Sequence, residues 1–176
     1  MNKKISRIIE KRVRKEIRIN KLISKNDTIL IIDDGSYKFK ISQKLLKNIV
    51  QDMPVTIEIK KTKYILGDNF DSKWNKIIIP WNLDDENEYF LTSVFKNENS
   101  KYSGHFKIKN MQFIKLLINI SKEESKEYCE ENDIKYENEV NSSDISKYID
   151  LMQKKHPETK FCLLKSSHDL KIKKII

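Results

Sequence analysis

Apolar residues near the start of the chain fall three and four positions apart: Ile5, Ile8, Ile9, Val13 and Ile17. That spacing draws one stripe along a helix, predicted over 3–20. Asn26-Asp27 breaks the pattern, and Thr28 to Ile32 follows as a continuous apolar run. A run of that length suits a strand buried on both faces. Asp33-Asp34-Gly35-Ser36 reads as a turn. Ile41, Leu45, Leu46, Ile49 and Val50 return to helical spacing. Pro54 to Ile59 alternates like a second strand, which Tyr64-Ile65-Leu66 extends or follows. Gly67 to Asn75 is polar and turn-like. Lys76 to Ile79 is a short buried strand closed by Pro80.

Asn82 to Phe95 predicts a helix, with Asn82 as its N-cap and Asp84, Asp85 and Glu86 in the first turn. Residues 96–106 read as a polar loop and Phe113 to Ile118 as a strand. Ser121 to Asn132 opens close to a capping box. Residues 137–143 read as loop, Ser143 to His156 as a last helix, and Cys162-Leu163-Leu164 as a short strand-like tail. Strands separated by helices imply an α/β layer built on a parallel sheet. Ligands of such sheets sit beyond the carboxyl ends of the strands. This brings Asp33–Ser36 and Pro80–Asp85 together as one candidate site.

The chain has 176 residues, which suits one domain with a real core. No apolar run approaches the ~20 residues that span a bilayer. No apolar segment follows the basic start, so neither a signal peptide nor a membrane partner is expected, and the expected compartment is cytoplasmic. The net charge of +9 is concentrated. Residues 1–25 hold ten Lys/Arg against Glu10 and Glu16, a net +8, and all four arginines lie there. A cationic segment on a near-neutral body suits an anionic partner, above all a nucleic-acid backbone. A solvated helix face explains the same charges without a partner. Arg7, Lys11, Arg12, Arg14, Lys15 and Arg18 are the candidate RNA-binding residues. Residues 1–25 are read as a basic helix on or beside a domain covering 26–176.

Four collinear segments resemble the tRNA 2-thiouridine and 2-thiocytidine synthetases of the PP-loop ATP pyrophosphatase superfamily. Ile9 to Arg18, then Asn20 to Ile23, is similar to that family's basic leader helix. Asp27 to Ile32 takes the place of its nucleotide-binding strand. Asn82-Leu83-Asp84-Asp85-Glu86 is similar to its His-Asn-Leu-Asp-Asp-Glu motif, with Trp81 where the histidine stands. Lys154 to Phe161, then Leu163 to Ser166, looks like its closing helix and tail. The resemblance implies a three-layer, parallel-sheet α/β fold, here truncated. It also implies a nucleotide site at Asp34, Gly35, Ser36, Lys38, Asn82, Asp84 and Asp85.

The departures are chemical. The family's phosphate loop reads Ser-Gly-Gly-Lys-Asp-Ser, whose glycines let backbone N–H groups approach phosphate. Only Gly35 survives in Asp34 to Phe39, and Asp33 and Asp34 put negative charge where pyrophosphate would lie. Lys38 or a bound Mg²⁺ offsets part of it. The two cysteines, Cys129 and Cys162, match none of the family's cysteine motifs, so neither zinc nor an iron–sulfur cluster is expected. The three histidines are widely spaced, which argues against a metal site. Ser166, His168 and Asp169 are sequence neighbours only and define no triad.

The resemblance therefore implies a noncatalytic or weakly catalytic relative of the thiolases. It would act as an accessory subunit that helps bind tRNA, as a homodimer or beside an active homologue. Retained activity would mean adenylating a tRNA carbonyl with Mg–ATP held near Asp84 or Asp85, then inserting sulfur from an external donor. Two alternatives stand beside it: a nucleotide-binding domain without chemistry, and an RNA-docking assembly protein. Asn82, Asp84 and Asp85 also have a ligand-free explanation, as a cap and dipole-favoured acids. Trp81 suits either stacking on a base or ordinary packing.

Overall fold

The computed structural model describes residues 4–62, 70–71, 73–98, 101–136 and 143–173. Helix α1 (Lys4–Ile19) leads into strand β1 (Thr28–Asp33), helix α2 (Tyr37–Val50) and strand β2 (Thr56–Lys61). Strand β3 (Lys76–Ile78) and helix α3 (Leu83–Phe95) follow. A hairpin of β4 (Phe106–Ile108) and β5 (Met111–Ile114) precedes helices α4 (Lys122–Glu131), α5 (Asp144–Lys155) and α6 (Thr159–Lys173). Tyr64-Ile65-Leu66 lies outside the described residues, as does most of the loop at 137–143.

The sheet has the order β2-β1-β3-β5-β4. Ile31 of β1 lies opposite Ile59 and Ile78, and Ile78 lies opposite Ile114 of β5, all in parallel register. The chain leaves β1 toward β2 on one side and later returns to β3 on the other. Strand order therefore reverses between β1 and β3, where α/β sheets open a crevice at their carboxyl ends.

One face carries the larger core. Ile29 and Ile31 meet Ile9 and Val13 of α1, Ile41, Leu45 and Leu46 of α2, and Tyr128 and Cys129 of α4. Complete burial of a side chain such as Ile9 contributes about 1.5–3 kcal/mol, so the apolar stripe holds α1 against the body. On the opposite face Leu30, Ile32, Ile77 and Phe113 form a second cluster, closed by Phe70, Trp81, Tyr102 and Ile108. Helix α3 packs against α5 and α6, where Leu83, Ile118 and Leu164 meet.

Three local expectations need correction. The strand read over Phe113 to Ile118 is shorter and begins earlier, at Met111. Leu117, beyond it, bridges Asn82 in isolation. The loop read over 96–106 ends in β4, which runs antiparallel to β5 with Phe106 opposite Phe113. Lys109, at φ +53, allows the tight turn between them. Finally, Cys162-Leu163-Leu164 lies inside α6. Pro157 ends α5 as expected, but a short apolar run does not tell strand from helix. The tail folds back as a helix that buries Leu164.

Candidate functional site

The two loops at the strand-order reversal come together as expected. Ser36 caps α2, its hydroxyl accepting from the Phe39 amide. Gly35 adopts φ +82, where a side chain is disfavoured. Both loop acids turn inward onto the loop itself. Asp33 Oδ1 accepts from the Gly35 amide at 2.9 Å, and Asp34 Oδ1 accepts from the Ser36 amide at 3.0 Å. These amides precede a helix N-terminus, the kind of position that attracts anions. Here the chain's own carboxylates meet them.

Across the crevice, Asn82 and Asp85 form a complete capping box. The Asp85 amide donates to Asn82 Oδ1 at 3.0 Å, and the Asn82 amide donates to Asp85 Oδ2 at 2.8 Å. Lys38, which is buried, reaches across from α2 and donates to both Asp85 oxygens at 3.0 and 3.1 Å. Asn82 also donates to the Tyr37 hydroxyl at 3.3 Å. Lys38, Asn82 and Asp85 therefore form one connected group, with Gly35 and Ser36 at its α2 side.

Asp84 belongs to a different group. Lys160, at the start of α6, places its ammonium 2.6 Å from Asp84, 2.9 Å from Asp150 and 3.2 Å from Glu123. These three carboxylates are close enough to hold a metal ion; the buried lysine fills that role electrostatically. Burial acts to lower the Lys160 pKa, but Asp84, Asp150 and Glu123 outweigh it and hold the ammonium above the usual lysine range. Burial pushes the Asp84 carboxyl up, with Lys160 and the Lys122 amide pulling the other way.

A third group lies beneath Trp81. Glu86 and Lys115 are both fully buried, 2.5 Å apart. Glu86 also accepts from Trp81 Nε1 at 3.0 Å, the Ser103 hydroxyl at 2.7 Å and the Gly104 amide. Burial alone would raise the Glu86 carboxyl; Lys115 and these donors hold it below the ordinary glutamate value. The Lys115 ammonium sits 4.5 Å from the Trp81 ring centre, a cation–π contact in a desolvated place. Trp81 thus serves the core, and its outer edge joins Asp85, Glu88, Tyr89 and Thr92 around a shallow pocket of about 320 Å³.

The basic residues of α1 divide. Arg12 turns to α4 and pairs with Glu124 at 2.5 Å. Arg14 pairs with Glu10 at 2.8 Å and donates to the Asn48 carbonyl at 3.3 Å. Arg7, Lys11, Lys15 and Arg18 make no ion pair among the described residues. With Arg14 they line a groove of about 600 Å³ between α1 and the end of α2. Glu16 faces the opposite way and fixes the helix to the body. It lies 3.0 Å from His105 Nε2 and accepts from Asn119 at 2.7 Å. The Lys115 amide donates to His105 Nδ1, so Nε2 is the nitrogen that donates to Glu16.

No family model matches the chain, and no curated protein matches it by sequence. Among solved structures it is similar to the U34-tRNA thiolase NcsA from Methanococcus maripaludis, with its [4Fe-4S] cluster. The TM-score is 0.69 at 16% identity, over 92% of this chain and 78% of that one. The fold is similar to that of this thiolase.

This likeness corrects one expectation. No iron–sulfur cluster is expected from the cysteine count, yet the similar thiolase carries one, so the count is no guide to what this fold holds. The thiols of this chain are Cys129, buried in α4 and pushed up to about 11 by its burial, and Cys162, exposed on α6. No helix among the described residues is long and apolar enough to cross a membrane.

Lys160, Glu123, Asp150, Glu86 and Lys115 are the site residues that sequence reasoning missed. Lys160 and Glu86 stand inside segments quoted for the resemblance, but a lysine in a tail gives no signal that it will reach Asp84. Glu123 and Asp150 look like ordinary helix-surface acids until α4, α5 and α6 are packed.

Proposed function

We propose that this chain is a tRNA-thiolation-related protein that holds tRNA and performs no ATP chemistry of its own. One observation carries the reading: the crevice that would receive Mg–ATP is closed on its own charges. Asp33 and Asp34 occupy the loop amides that suit phosphate. Lys38 occupies Asp85, and Lys160 occupies Asp84. A nucleotide would have to displace two carboxylates, and its magnesium would have to displace two ammonium groups, one of them almost fully buried. Each existing pair has to be broken before the ligand's own charges replace it, and that cost is set against the binding energy of a small ligand.

The tRNA part of the reading rests on α1. Its cations stand on the outer side of the helix while the apolar stripe and Glu16 hold the inner side. Arginines suit bidentate phosphate contacts. An accessory subunit of this kind, as a homodimer or beside an active homologue, supplies RNA grip while an active homologue supplies the chemistry.

The experiment supplies the purified chain with tRNA, Mg–ATP and a sulfide source, and measures AMP release, thiolated nucleoside and tRNA retention together. The expected outcome is tRNA retention with neither product. AMP release that depends on tRNA would sink the reading. So would failure of tRNA to bind.

A further inference from the structure

We propose that the groove between α1 and α2 takes an unpaired stretch of RNA, with phosphates along α1 and a base against Ile49 and Met53. This inference deepens the tRNA-holding role just proposed and rests on it. The two walls of the groove differ in kind. One wall is the cationic edge of α1, from Arg7 to Arg18, about 16 Å long at 1.5 Å per residue. That length accommodates several successive phosphates. The other wall is apolar: Ile49 on the last turn of α2, and Met53 just beyond it, both half-buried against the core.

A duplex presents phosphate and sugar at its surface and keeps its base faces stacked inside. It would satisfy α1 and leave Ile49 and Met53 against its polar backbone. An unstacked base offers an apolar π-face, and single-stranded recognition joins such faces to a cationic track. A methionine thioether beside an aromatic ring is a favourable contact. The charge excludes an apolar partner helix: residues 1–25 carry ten cations against two acids. Among the described residues Glu10 is the one acid lining the groove, and Arg14 pairs with it.

The test uses the full chain and three fluorescent probes: a single-stranded oligouridine, an RNA hairpin stem of equal charge, and a polyglutamate peptide. The single strand is expected to bind most tightly. Four cations that make no ion pair among the described residues, at about 0.7 per phosphate, predict a log–log salt slope near −3. Met53→Ser should weaken the single strand by about fivefold or more and leave the stem unchanged. The triple variant R7A/R14A/R18A should weaken both. Because Met53 touches the core, photocrosslinking of a 4-thiouridine oligonucleotide to the unaltered chain gives a variant-free readout, with adducts expected on peptides containing Ile49 or Met53. Equal affinity for stem and strand, or adducts elsewhere, overturns the inference and leaves the tRNA-holding role standing. Preferential binding of polyglutamate overturns it in favour of an acidic protein partner. Failure of both RNAs and of tRNA overturns the inference and the role together.

Discussion

Individual lysines decide the chemistry of this molecule. Lys115 is fully buried against Glu86 and under Trp81, with an acceptor in the Tyr102 carbonyl at 2.7 Å. Lys115→Met would leave a buried carboxylate without its cation, and an expected loss of about 3–5 kcal/mol should appear as a lowered urea midpoint. A loss below about 1 kcal/mol would mean that water reaches Glu86. Glu16 gives a pH test. Burial would raise its carboxyl, but His105 and Asn119 hold it below the ordinary glutamate value of 4.5. A carboxyl depressed in the fold contributes stability that is present above the unfolded value and lost as pH falls through the folded one. Urea midpoints should therefore drop from pH 5 toward pH 3. Glu16→Gln should flatten that drop, and an unchanged acid limb would show that Glu16 does not tie α1 down.

Among the elements, those announced by local chemistry were legible, and those defined by distant partners were not. Helix α3 begins at Asn82 because that side chain and Asp85 satisfy each other's backbone amides, and α4 begins at Ser121 with Glu124 for the same reason. Each box is written within four residues. Ser121→Ala should cost about 1 kcal/mol, measured by thermal or urea unfolding; no loss would mean that the Glu124 half of the box suffices. Helix α1 was legible from its stripe, and the juxtaposition of residues 33–36 with 80–85 followed from strand order. The hairpin of β4 and β5 was hidden because β4 has three residues, too few for alternation to show. Helix α6 was hidden because its apolar run is short and its anchor, Lys160, answers acids on three other helices. The sequence motif placed Asp84 and Asp85 side by side, but the fold gives them to different lysines.

At the scale of the molecule, charge is divided between a closed crevice and an open helix. Acids and bases at the carboxyl ends of β1 and β3 meet one another, while cations on α1 line a groove. The likeness to a tRNA thiolase extends over 92% of the chain, and within that shared architecture the crevice is already filled by its own side chains. RNA affinity should then follow α1 and ionic strength, and be indifferent to nucleotide. The most direct measurement is calorimetric titration of the folded chain with Mg–ATP. No heat of binding is expected at millimolar nucleotide. Saturable binding that is lost on Asp85→Ala would show that Lys38 yields its partner to a ligand and that the crevice is open to nucleotide.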